Sequence, residues 1–166
     1  MQFWRNCVKI GTVYEFIKEF RKVRDELITA VNKFPQSKRE EPLFEGWSLK
    51  DVIAHFAGWD LYFTQCVQHL VLGEKISFFG ATNSFNKETV AARKNLPFGP
   101  VHKEFVNGGE TFIREFEKLD RNLWRKKFWP TKTYTPLAVL KINIDHYKKA
   151  QLKDIQKLNS SFAKKL

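Results

Sequence analysis

Four stretches of this chain repeat apolar residues at intervals of three and four, a spacing that predicts four long helices with one buried face each. In the first, about 11–34, Phe16, Phe20, Val23, Leu27, Val31 and Phe34 form the face, and Lys18, Arg21, Lys22, Arg24, Asp25 and Glu26 form the solvated side. Pro35 ends it, and 36–46 reads as a charged loop. The second helix opens on Ser48, with Asp51 three residues on as in a capping box. Its stripe is Val52, Phe56, Trp59, Phe63, Cys66, Val67 and Leu70, and Gly73 is its stop. The third spans about 101–119 with Phe105, Phe112, Phe116 and Leu119 in register; Gly108-Gly109 interrupts it and reads either as a kink or as a close backbone approach. The fourth starts at Thr135-Pro136, an N-cap followed by proline at the first helical position, and runs to about 159. Leu137, Leu140, Ile144, Tyr147, Gln151, Ile155 and Leu158 make its stripe.

The connection after Gly73 is irregular and partly apolar through 74–81, then passes into a short helix over 85–93. A connection of this length either covers a pocket or closes one end of the bundle. No stretch reads as a strand. The predicted class is therefore all-α: one domain over 1–166, a four-helix bundle with a long helix 2–3 connection and a short N-terminal extension over 1–10.

Composition changes this picture in three places. Aromatic residues reach 15%, with sixteen Phe and five Trp, enough to fill the core or to wall a pocket. The net charge is +11, but the basic residues are dispersed and no reader motif accompanies them, so a nucleic-acid partner is the less favoured alternative to a small molecule. Cys7 and Cys66 match no metal or redox spacing and read as free thiols of a reducing cytosol. Residues 1–9 lack the apolar run of a signal peptide, and nothing approaches the ~18 apolar residues of a membrane span. The expectation is a cytoplasmic protein without a membrane partner, monomeric or homodimeric.

Candidate chemistry is sparse. There is no Gly-rich phosphate loop and no G-x-S-x-G elbow. His55 sits at the edge of its stripe on the side of Trp59 and Cys66. Asp60 is a general base only if it is desolvated, and such a residue more often lies at the bundle surface. Far downstream the last helix carries Asn143-Ile144-Asp145-His146-Tyr147.

Residues 46–60, a capped helix start with a histidine one turn before a tryptophan, together with 143–147, resemble the DinB-like (YfiT-like) superfamily of four-helix bundles. The resemblance is strongest to its ClbS/DfsB family, through Gly58-Trp59, the 86–93 segment and the Tyr147 to Ala150 spacing, and it covers 13–158. In many DinB-like proteins three histidines hold a divalent metal, one on the second helix and two at H-x-x-x-H spacing on the last. His55 and His146 match the first two positions, and the third falls on Ala150. The resemblance thus implies either no cofactor or a divalent transition metal on an incomplete set. Helical geometry adds an objection, since in a regular helix His146 lies roughly 140° from the stripe centre, near Lys149, Lys153 and Lys157.

The ClbS/DfsB family implies a small protective protein, some members of which open a strained electrophilic ring of a reactive metabolite by hydrolysis. The expected pocket lies between helices 2 and 4 at His55, Trp59, Tyr62, Asn143, His146 and Tyr147. The alternatives are a non-catalytic small-molecule binder and a basic nucleic-acid-associated protein. A metal-dependent thiol transferase is disfavoured by the absent third histidine.

Overall fold

A computed structural model describes residues 10–164, so Cys7 and positions 1–9 of the expected extension lie outside the described residues, while Ile10 already belongs to the first helix. Six helices follow one another: α1 (Ile10–Lys33), α2 (Leu49–Leu72), α3 (Thr82–Ala91), α4 (Phe98–Glu117), α5 (Pro136–His146) and α6 (Lys153–Ala163). A single π-helical turn, Tyr147–Leu152, joins α5 to α6 into one long rod. No strand forms among the described residues. The chain is an all-helical bundle, with α2 packed along α4 and α3, and α1 packed on α4, α5, α6 and the π turn.

The helix boundaries follow from local chemistry. Ser48 Oγ accepts from the Asp51 backbone N–H at 3.1 Å, and Asp51 returns the bond to the Ser48 N–H at 2.9 Å. Gly73, in the left-handed region at φ 72°, closes α2, and the N–H of Glu74 reaches back to the carbonyl of His69 at 2.9 Å. Thr135 Oγ1 caps α5 by accepting from the Ala138 N–H at 3.1 Å, with Pro136 in the first turn. Just before α2, Glu45 and Gly46 take φ of 51° and 90°, and Phe44 and Trp47 exchange two backbone bonds of 2.9 Å, which sets the Trp47 ring against the α2 entry.

Four expectations need correction. Arg24 belongs to the buried face of α1, not to its solvated side, and is 1% exposed. Asp60, expected at the bundle surface, is 0% exposed and pairs with Arg24 at 2.8 Å. The short helix begins at Thr82 and ends at Ala91, ahead of the 85–93 estimate. The last helix is not regular. One extra residue in the π turn shifts the apolar face by roughly 100° between its two ends, so the α5 face is Val139, Leu140, Asn143, Ile144 and Tyr147 while the α6 side continues through Leu152 and Ile155. Averaging the two halves into one regular stripe displaced its centre. Measured from the α5 face alone, His146 stands only roughly 90° away, at the edge of the buried surface.

Gly108-Gly109 is a close approach, and only the second glycine makes it. A methyl group on Gly109 would lie 1.7–2.0 Å from guanidinium atoms of Arg24, whereas one on Gly108 would meet only Asp60 Cβ at 3.8 Å. Gly58 plays the same part between α2 and α3, where an added Cβ would come within 2.3 Å of the Thr89 side chain.

Candidate functional site

A cavity of about 170 Å³ lies between α2, α3 and α5. Phe56, Trp59 and Phe63 from α2, Val139 and Tyr147 from the last helix, and Phe79 and Tyr134 from the connections give it apolar walls. Its polar lining is confined to His55, His146, Asn143, Asn86 and Thr82. Five of the six expected pocket residues, His55, Trp59, Asn143, His146 and Tyr147, line this one space.

Tyr62 does not line it. Its hydroxyl donates to the Ser77 carbonyl at 2.7 Å, and its ring stacks on Trp129 behind the wall. There it holds the α2–α3 connection in place, assisted by Trp129, whose indole N–H donates to the Ile76 carbonyl at 2.8 Å. The connection therefore supplies part of the cavity wall through Phe79, and α3 supplies Asn86 and Thr82. Asn86 went unnoticed as a lining residue because nothing in a single amide on a short polar helix marks it out. Its Oδ1 accepts from the Trp59 indole N–H at 2.8 Å, fixing the ring that forms one wall.

The two histidines meet. His55 Nε2 and His146 Nε2 are 3.4 Å apart, although 91 residues separate them in the chain. His55 is 5% exposed, packed edge-on against Trp47 and Trp59, and His146 is exposed at the rim with its ring against Phe56. Burial pushes the pKa of His55 down to about 4; the neighbouring His146 adds to this, and Asn86 opposes it. Burial against the same walls also lowers His146. Both rings are therefore neutral at pH 7, and one donates its Nε2 proton to the lone pair of the other. Nδ1 of His55 is buried without a hydrogen-bond partner, as is Nδ2 of Asn143.

The donor set can be tested against a metal. Two imidazole nitrogens separated by roughly 3.4 Å would fit the edge of a tetrahedron with bonds near 2.1 Å. A site also needs further protein donors, and no group of three His, Cys, Asp or Glu residues able to hold a metal occurs among the described residues. Position 150 is alanine, and the Tyr147 phenol is already committed to Asp60 and Arg24. The residues present do not fit a three-ligand centre, and no step below passes through a metal.

Behind the cavity lies the buried polar cluster that holds Tyr147. Its hydroxyl donates to Asp60 Oδ1 at 3.1 Å and accepts from Arg24 Nη1 at 3.1 Å. Arg24 also forms an ion pair with Asp60 Oδ2 and donates to the Phe105 carbonyl, and its guanidinium stacks 4.4 Å over the Phe105 ring. Burial works against the Arg24 charge, but Asp60 and Tyr147 outweigh it and raise its pKa. For Asp60, burial raises the pKa and Arg24 opposes the shift. Cys66 is free and buried, its thiol pushed up to about 12 by burial, which leaves no reactive thiolate.

No family model matches the chain, and no curated protein matches it. No helix among the described residues is long and apolar enough to cross a membrane. The fold is similar to that of a solved crystal structure, an uncharacterised protein from Escherichia coli UTI89. The two agree with a TM-score of 0.67 over 92% of this chain and 91% of that one, at 14% identity, a likeness that establishes a shared fold.

Proposed function

We propose that this protein is a small-molecule hydrolase of the ClbS/DfsB type, protecting its host by opening a compact, strained electrophile with water. One observation carries the reading: a neutral histidine pair, Nε2 to Nε2 at 3.4 Å, with His55 buried and His146 at the rim of a largely apolar cavity of about 170 Å³. That volume holds a ring-sized group, since a cavity of ~150 Å³ with apolar walls accepts benzene. It is too small for a large metabolite, so the reactive end enters and the remainder stays outside, across the 52% exposed Ile142 at the mouth.

The chemistry follows from the pair. His55, the more deeply buried ring, accepts the Nε2 proton of His146 and thereby fixes its tautomer, leaving Nδ1 of His146 as the basic nitrogen. That nitrogen takes a proton from water as the oxygen attacks a ring carbon. The strained bond breaks, and the departing atom receives the proton from the imidazolium, so that water is added overall and His146 returns to its neutral form. The apolar walls disfavour bulk water around the electrophile, and His55 acts as a positioning residue.

Styrene oxide, a phenyl group bearing a strained three-membered ring, is the test compound. The protein is expected to accelerate its conversion to phenylethanediol by about 100-fold or more over buffer, the usual worth of a positioned base. His146→Ala is expected to lose that acceleration, while His69→Ala, whose ring lies beside Glu74 and outside the cavity lining, keeps it. Because burial lowers the His146 pKa, the rate holds through neutral pH and falls only below the ordinary histidine range, as the base takes up a proton. No acceleration, or one that survives His146→Ala, contradicts the hydrolase reading. Tight binding of the epoxide without turnover would assign the cavity to sequestration instead.

A further inference from the structure

One end of the bundle gathers charge that the sequence scatters. α2 and α4 run in the same direction, with Phe56 against Phe105 and Asp60 beside Gly108, so their C-terminal ends lie together. The connections that follow them, 73–81 and 118–135, are tied to each other: Trp129 donates to the Ile76 carbonyl, and Lys132 Nζ sits 4.5 Å over the Phe78 ring. Together they hold seven basic residues against two acidic ones, Glu74 and Asp120, a balance of +5 in a chain of net charge +11. Lys75, Arg125, Lys126 and Lys127 are exposed. Three of the six large apolar side chains exposed among the described residues stand at this end as well. Val71 and Leu72, 58% and 68% exposed, close α2, and Tyr14 near the start of α1 shares a groove with Arg121. The tryptophans of the same end, Trp124 and Trp129, are buried.

Protruding aliphatic side chains among lysines match the chemistry of an anionic bilayer, which offers hydrocarbon to the first and phosphate headgroups to the second. Nucleic acid would use the charge alone, since it has no hydrocarbon layer for Val71 and Leu72, and the two tryptophans are not free to stack on bases. Independently of the cavity's reading, we propose that this end of the bundle docks on a membrane surface containing anionic lipid, with Val71 and Leu72 inserted and the lysines of both connections on the headgroups. Such a contact needs no spanning helix, and it departs from the expectation of a protein without a membrane partner. Phe79 and Tyr134, from the same connections, also wall the cavity, so docking holds that cavity near the bilayer.

Flotation of the full chain with lipid vesicles tests this. Vesicles of phosphatidylcholine with roughly one-third phosphatidylglycerol are expected to bind it at least about tenfold more tightly than phosphatidylcholine alone, and less so as salt rises. Lys126→Glu/Lys127→Glu is expected to weaken that binding by about 25-fold or more, at about fivefold for each lysine lost. Lys33→Glu/Lys157→Glu makes the same change of charge at the far end of the bundle, where α6 bonds to α1 through Asn159, and is expected to stay within about twofold of the unaltered protein. Leu72→Ser is expected to cost about fivefold at high and low salt alike. Duplex DNA is expected to bind less tightly than the anionic vesicles, and equally well to the Leu72→Ser variant. Equal affinity for the two vesicle types, binding to neither, or equal losses in the two charge variants overturns the proposal. A preference for DNA, or vesicle binding indifferent to Leu72→Ser, overturns the assignment to lipid.

Discussion

Asp60→Ala is expected to lower the stability of the bundle by about 3–5 kcal/mol, or roughly 10 °C in melting temperature for a domain of this size. The variant removes the carboxylate but leaves the Arg24 guanidinium with 1% exposure and a hydrogen-bonded tyrosine whose acceptor is gone. The loss comes from that uncompensated charge. Urea unfolding of the variant beside Arg24→Met/Asp60→Leu separates the two contributions. The double variant removes both charges, fills the space with apolar atoms and is expected to be more stable than Asp60→Ala. A double variant less stable than the single would show that the ion pair itself, and not the avoidance of a lone charge, stabilises the fold.

Gly109→Ala is expected to be nearly as damaging, for a steric reason. Its new methyl group would occupy the space of Arg24 Nε, Cζ and Nη2, so either the arginine leaves Asp60 or α4 moves away from α1. A long side chain can ordinarily give way, but this one is fixed by Asp60, Tyr147 and the Phe105 carbonyl. Gly108→Ala, one residue earlier, meets only ordinary contact and is expected to stabilise the helix by about 1 kcal/mol. Because Asp60→Ala and Gly109→Ala both act through Arg24, their losses are expected to fall short of additive in the double variant. Thermal melts of these four proteins check the set, and equal effects at positions 108 and 109 would contradict the assignment of the close approach to Gly109.

The termini of α2 and the start of α5 were legible because capping is a local code: Ser48, Asp51, Gly73 and Thr135-Pro136 satisfy backbone groups a few residues away. Five of the six residues expected at the pocket line one cavity, where segments 91 residues apart meet at His55 and His146. Arg24 was not legible, because charge alone assigned it to water, although it stands four residues after Phe20 and three before Leu27, within the apolar stripe. The small residue it needed opposite it, Gly109, was visible, but nothing local links the two. Asp60 was misplaced for the same reason. The π turn left no local signal either, since a stripe drawn through Tyr147, Gln151 and Ile155 reads as a regular helix. Only the packing of Leu152 against the core shows that an extra residue has been accommodated. That turn begins at Tyr147, the residue whose ring walls the cavity and whose hydroxyl joins the buried cluster. The stability of the bundle and the shape of the site therefore meet in one side chain.

The cavity as a ring-binding site beside the histidine pair is tested most directly by a crystal of the protein soaked in bromobenzene, with the bromine located by anomalous scattering. The expected result is one dominant bromine peak among Phe56, Trp59, Phe63 and Val139, in van der Waals contact with His55 or His146. Bromine found only on the outer surface, or nowhere at a concentration that saturates other apolar cavities, would contradict it.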